Sequence, residues 1–165
     1  MAGINEQIPS IEIHQAKPED LETISKLVAL AYQTPINPGS FTNRAEDSVE
    51  KLAQEIAEGT IILIARKGDE VIGTVRYKPE NGFLMLSRLA TAPEFRNQGV
   101  GNSLVKKVID TAKSAKIPAI RLEVMEEKEK DLVPYYEALG FHETERIQYT
   151  HHKIITMEKK LEPTE

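Results

Sequence analysis

The chain has no cysteine. That excludes a disulfide framework and any thiol nucleophile, and it suits a reducing cytoplasm, the compartment expected here. No apolar run approaches the roughly 20 residues of a membrane-spanning helix, so no membrane partner is expected. Residues 1–9 have neither a basic n-region nor an apolar h-region and do not read as a signal peptide. They read as a flexible tail ahead of a single domain over residues 10–165. Positive charge is in deficit: 21 Lys and Arg against 26 Asp and Glu leave a net charge of −5. This speaks against a nucleic-acid partner and is compatible with a cationic acceptor such as an amine. There is no internal repeat.

What remains is an ordinary globular composition, 40% hydrophobic and 28% charged over 165 residues, enough chain to bury a real core. Ile11 and Ile13 alternate with polar residues, as in a strand. A helix is predicted over 18–32, with Pro18 in its first turn and Leu21, Ile24, Leu27, Val28 and Ala31 as its apolar stripe. Pro35, Asn37, Pro38 and Gly39 mark a loop, and a second helix over 46–58 ends at Gly59. Strands over 60–66 and 71–78 flank the turn Lys67-Gly68-Asp69-Glu70. A strand over 83–91 follows the loop Pro79-Glu80-Asn81-Gly82. Then come a long helix ending near Lys116, a strand over 119–125, a short helix over 132–139 stopped by Gly140, and two strands flanking 149–152. Glu126 to Asp131 form a charged, solvated loop. The order predicts an α/β (α+β) fold.

The most informative segment is Arg96-Asn97-Gln98-Gly99-Val100-Gly101, between the strand over 83–91 and the long helix. A helix start exposes unpaired N–H groups and the positive end of a dipole, and two glycines let a ligand approach that backbone closely. An anion such as a phosphate or pyrophosphate fits there. A dinucleotide fingerprint would need a third glycine where Leu104 stands, and no Gly-Lys-Ser/Thr follows, so neither that motif nor a P-loop applies. By itself the segment is equally compatible with a turn that merely starts a helix.

Arg-x-x-Gly-x-Gly after a strand, led by Thr91-Ala92-Pro93-Glu94-Phe95, resembles motif A of the GCN5-related N-acetyltransferases (GNAT). Downstream, Tyr136-Glu137-Ala138-Leu139-Gly140-Phe141 resembles the signature that closes that family's cofactor cleft. Ile11-Glu12-Ile13 followed by Ala16-Lys17-Pro18-Glu19-Asp20-Leu21 resembles its first strand and helix. The resemblance spans about residues 10–161. It implies a mixed, mostly antiparallel central sheet with helices on both faces and its strands 4 and 5 splayed, with acetyl-CoA in the splay. Leu89, Ala90 and Thr91 would then pair with the pantetheine arm like an added strand. Asn97, Gln98, Gly99, Val100, Gly101 and Asn102 would cradle the pyrophosphate, mostly through backbone. Arg96 either adds charge to the phosphates or is a surface arginine.

The resemblance also implies the chemistry: an amine attacks the thioester directly in a ternary complex, and coenzyme A leaves. An ammonium near pKa 10.4 must first lose a proton. Glu123 is the favoured base, because Leu122-Glu123-Val124 resembles the branch that acetylates protein N-termini; otherwise it is a solvent-facing strand glutamate. Tyr136 is favoured to protonate the sulfur, or else it is a core aromatic, while Tyr135 should face elsewhere. Phe141 reads as core. Backbone N–H near Leu89 or Ala90 would stabilise the oxyanion. Ser87 is too weak a base alone, and Arg88 either meets an acidic acceptor or, preferably, pairs with a surface carboxylate. Glu129 replaces an asparagine common in the family, and Pro134 is unusual before the tyrosines. Tyr32, Phe41, Tyr149, His151 and His152 are candidates for the acceptor side. His151-His152 has no nearby ligand partner in sequence, so no metal is expected. A homodimer is compatible with the fold.

Three functions stay open at this point. One is acetyl-CoA-dependent N-acetylation of a small-molecule or peptide amine. Another is a non-catalytic acyl-CoA-binding regulatory module. The third is an unrelated phosphate-site protein. The acceptor and the acyl length are not legible.

Overall fold

Strands β1 (Ile11–Gln15), β2 (Ile61–Lys67), β3 (Glu70–Glu80), β4 (Phe83–Thr91), β5 (Ala119–Met125), β6 (His142–Gln148) and β7 (Lys153–Lys160) carry the chain through one sheet. Helices α1 (Leu21–Tyr32), α2 (Val49–Ala57), α3 (Val100–Ser114) and α4 (Leu132–Ala138) connect them. The computed structural model describes residues 10–32, 47–126 and 131–162. The expected tail, the loop carrying Pro35, Asn37, Pro38, Gly39 and Phe41, and residues 127–130 of the expected charged loop, Glu129 among them, lie outside the described residues. Among the described residues the sheet has seven strands, in the order β1-β2-β3-β4-β5-β7-β6. Every neighbouring pair is antiparallel except β4 and β5.

Local chemistry sets the boundaries. Pro18 to Asp20 form a 3-10 turn before α1. There the Asp20 carboxylate accepts from the Lys17 backbone N–H at 2.7 Å and pairs with Arg66 at 2.9 Å. Ser48 caps α2 by accepting from Lys51 N–H at 3.1 Å. Gly68 at φ 64° and Gly82 at φ 89° occupy two-residue hairpin turns. The second turn is tighter than the sequence reading expected. Strand β3 runs on through Pro79 and Glu80, which pair with Leu84 and Phe83. Pro79 is tolerated because β2 stops pairing at Tyr77, so its missing N–H forfeits no bond to β2. Gly140 at φ 97° ends α4 with Phe141 N–H bonded back to Tyr136 O at 3.0 Å.

Two apolar clusters cover the two faces of the sheet. Leu21, Ile24, Leu27 and Val28 of α1 and Leu52 of α2 pack on Ile62, Ile64 and Ala90. Val100, Leu104, Val105 and Val108 of α3, with Tyr136 of α4, pack on Leu63, Ala65, Val75, Leu86, Leu122 and Val124. Alternation along β2 sends its odd and even residues to different clusters, which puts helices on both faces. Among the described residues no helix is long and apolar enough to cross a membrane.

Candidate active site

The sheet opens between β4 and β5. These strands pair only at Leu84 with Ile120 and at Met85 with Arg121. Beyond that point β4 keeps only β3, out to Thr91, and β5 keeps only β7, out to Met125. Residues 86–91 and 122–125 therefore border a splay.

Inside the splay, β4 carries a bulge. Thr74 pairs with Ala90 but Arg76 pairs with Ser87, so Arg88 and Leu89 together stand opposite Val75. The extra residue inverts the alternation. Leu84 and Leu86 face the α3 cluster before the bulge, whereas Ala90, of the same parity, joins the α1 cluster after it. Leu89 packs against the α3 side instead. Arg88 makes the bend with φ 53°.

After β4, Pro93 to Phe95 form a 3-10 turn, and Asn97 (φ 64°) and Gly99 (φ 84°) turn the backbone into α3. No side chain caps that helix, so its first N–H groups are presented at its start. A Cβ on Gly99 would meet nothing within 4 Å. A Cβ on Gly101 would stand 2.8 Å from the Tyr135 hydroxyl. Beneath, a Cβ on Gly73 of β3 would strike Val100 Cγ1 at 2.7 Å and Leu104 Cδ1 at 3.1 Å. Gly73 thus lets the start of α3 seat directly on the sheet.

These elements wall a cavity of about 540 Å³. Leu89, Ala90, Thr91, Arg96, Asn97, Gly99, Val100, Gly101 and Asn102 line it, joined by Ala31, Phe95, Leu132 and Tyr135. Gln98 is not in the wall; its side-chain amide donates to Glu94 O at 3.3 Å. Arg96 lines the cavity while donating to Ala31 O at the end of α1, 2.9 Å away. One expectation is corrected: Tyr135 does not face elsewhere. Its place in the first turn of α4 aims it into the wall, where its hydroxyl donates to Asn102 Oδ1 at 2.8 Å. Burial pushes its pKa up, which keeps the hydroxyl protonated.

Tyr136 is 5% exposed and belongs to the core, edge-on to Tyr135 and to Phe141 with centroids 5.2 and 5.8 Å apart. Glu123 is exposed on β5 opposite Thr156, two residues past the last β4 pairing, with Leu122 and Val124 buried on the other face. Neither residue lines the cavity. Arg88 meets a buried carboxylate rather than the expected surface one: its Nε is 3.6 Å from Asp47 Oδ1, and Asp47 is 3% exposed. On the β6–β7 hairpin, Tyr149 stacks on His152 with centroids 5.4 Å apart. Gly73, Tyr135 and Asp47 were not singled out from sequence as site-forming. Gly73, inside an apolar strand run, carried the one usable signal, since such a glycine marks close backbone approach.

Residues 22–141 match the sequence model of the Acetyltransferase (GNAT) family. No curated protein matches the chain. Among solved structures, the PaiA N-acetyltransferase of Thermoplasma acidophilum, crystallised with coenzyme A, is 26% identical with a TM-score of 0.79, covering 92% of this chain and 99% of its own. The ribosomal-protein-S18-alanine N-acetyltransferase of Escherichia coli superposes at TM-score 0.76 with 17% identity, over 94% of this chain and 97% of its own. A GNAT-family acetyltransferase of Staphylococcus aureus Mu50 gives 0.75 with 18% identity, over 93% and 100%. The splayed sheet, the glycine-opened start of α3 and the family match over most of the length agree, and the chain belongs to the Acetyltransferase (GNAT) family.

Proposed function

We propose that the protein transfers an acetyl group from acetyl-CoA to a primary amine by direct attack in a ternary complex. The observation that carries this reading is the cavity of about 540 Å³ that runs from the β4 bulge to the uncapped start of α3. The family uses acetyl-CoA, and the Thermoplasma acidophilum relative was crystallised with coenzyme A. The residues present suit that ligand. A β4 edge released from β5 offers backbone to an amide-bearing arm. The open space at Gly99 admits phosphate oxygens to the first N–H groups of α3.

Acetyl-CoA supplies the acetyl group as a thioester. Leu89, Ala90 and Thr91 would hold its arm, and the backbone from Asn97 to Asn102 would hold its pyrophosphate, with Arg96 adding positive charge. Glu123, directly or through water, takes the proton that the acceptor ammonium must lose before its nitrogen can attack. Of the two candidate donors, Leu89 and Ala90, Ala90 holds a register position that bonds to β3, so the Leu89 N–H would donate to the carbonyl oxygen as it gains charge. Tyr136, which packs edge-on to the cavity-lining Tyr135, would return a proton to the departing sulfur. The acceptor is a small-molecule or peptide amine.

A second reading, an acyl-CoA-binding module without turnover, is favoured by one observation: neither Glu123 nor Tyr136 lines the cavity. A thermal-shift comparison of acetyl-CoA, coenzyme A, ATP and NAD, followed by thiol-release assays on an amine panel, separates the readings. Stabilisation by the two coenzyme A species with thiol release supports transfer. Stabilisation without release on any amine supports the module. Stabilisation by ATP or NAD alone overturns both.

A further inference from the structure

The β4 bulge puts an arginine where the backbone prefers glycine. Arg88 stands first of the two residues opposite Val75 and sits at φ 53°. A bulge with a left-handed first residue normally takes glycine there, because any Cβ crowds the following carbonyl. A side chain retained at such a position must be held by its surroundings.

Among the described residues, Arg88 contacts a buried charge cluster on the α1–α2 side. Arg88 Nε lies 3.6 Å from Asp47 Oδ1, and the same oxygen accepts from Arg76 Nη2 at 2.8 Å. Arg76 Nη1 reaches Glu55 Oε1 of α2 at 3.3 Å. The Arg76 and Asp47 side chains are 1% and 4% exposed. This is a poor way to stabilise a core: Asp47 Oδ2 and Arg76 Nε are buried with no hydrogen-bond partner among the described residues. Apolar side chains of similar volume would avoid those desolvated atoms. What apolar packing would not provide is a carboxylate held by Arg76 at 2.8 Å and lying 3.6 Å from Arg88.

We infer that Asp47 is a positioning residue: fixed by Arg76, it tethers Arg88 and so locks the β4 bulge that aims the Leu89 backbone into the splay. That the aimed backbone serves acetyl-CoA rests on the reading above; the tether itself does not.

The test compares Arg88→Gly with Arg88→Ala. Glycine adopts the left-handed bulge without a tether, whereas alanine loses the tether and keeps the Cβ. Hydrogen exchange of the ligand-free protein is read at the amides of Arg88, Leu89 and Ala90, next to coenzyme A affinity by calorimetry. Arg88→Ala should speed exchange there about tenfold and weaken coenzyme A about tenfold, while Arg88→Gly stays within about threefold of the parent in both. Asp47→Asn should speed exchange at the same amides in the parent and have little further effect in Arg88→Gly, as coupling through one contact requires. Equal exchange in the Gly and Ala variants overturns the tether. So does an equal loss of coenzyme A affinity in both with exchange unchanged, which would make the Arg88 side chain a direct contact of that ligand. Loss of folding in Asp47→Asn leaves the Gly and Ala comparison to decide. If the parent fails to bind coenzyme A, the cofactor reading falls while the exchange result still decides the tether.

Discussion

The Tyr135 hydroxyl donates to Asn102 Oδ1 at 2.8 Å and ties the first turn of α4 to the first turn of α3. Both residues line the cavity. The hydroxyl also lies 2.8 Å from where a Cβ on Gly101 would stand. The glycine and the tyrosine therefore define one wall together.

Removing the hydroxyl tests that tie. Tyr135→Phe should lower stability by about 1 kcal/mol, the usual net value of a hydrogen bond. Acetyl-CoA affinity in calorimetry should fall by a few-fold, since about 1.4 kcal/mol is a factor of ten. Unaltered melting and affinity would reduce Tyr135 to passive wall.

Gly101→Val attacks the wall from the other side. Its branched side chain must push Tyr135 off Asn102, because a Cβ alone already comes within 2.8 Å of the hydroxyl. Acetyl-CoA should bind about tenfold or more weakly, with the circular dichroism spectrum unchanged, since the position is helical and glycine is itself a poor helix former by about 1 kcal/mol. Parental affinity would sink the assignment of Gly101 to the pyrophosphate cradle.

Gly73→Ala should destabilise by about 1–3 kcal/mol, the usual range for an overpacked core. The new Cβ meets Val100 Cγ1 at 2.7 Å and the Ala90 carbonyl oxygen at 3.3 Å. Trimming Val100 to alanine as well should recover part of the loss in urea denaturation, because the two residues touch. Strict additivity would contradict the close seat of α3.

Catalysis separates from binding at two residues. Glu123→Gln should reduce turnover by about a hundredfold, within the range of a general base, with acetyl-CoA affinity retained. Tyr136→Phe should likewise lower turnover more than affinity. A thiol-release rate equal to that of the parent in either variant removes that residue from the mechanism.

Alkaline pH should unfold the protein partly through its tyrosines. Burial raises the pKa of Tyr77 and of Tyr135, and for Tyr77 a smaller opposing pull comes from its hydrogen bond with Thr111. The folded chain then keeps protons that the unfolded chain releases near pH 10. Their contribution is complete below about pH 10 and is lost as pH rises through the folded values. Melting temperatures measured between about pH 8 and 11 should fall at the top of that range, less steeply in Tyr135→Phe.

Much of the fold was legible because its signals are local. The stripe of Leu21, Ile24, Leu27 and Val28 required a helix with one buried face, and all four residues are buried. Gly68 and Gly82 each meet a left-handed backbone at a turn. Gly99 and Gly101 marked the helix start that now borders the cavity. Pro79 misled, because whether a strand tolerates proline depends on where its neighbour ends, and that is fixed by pairing.

By itself, then, the sequence determined the order of strands and helices, the glycine-opened start of α3 and the family motifs. Each of these rests on spacing within a few residues of chain. Only the tertiary structure decided that Tyr135, rather than Tyr136, meets Asn102, that Arg88 bends β4 against a buried Asp47, and that Gly73 admits α3. Those contacts join residues far apart in the chain, and no local periodicity encodes the face on which a bulged strand presents its next side chain.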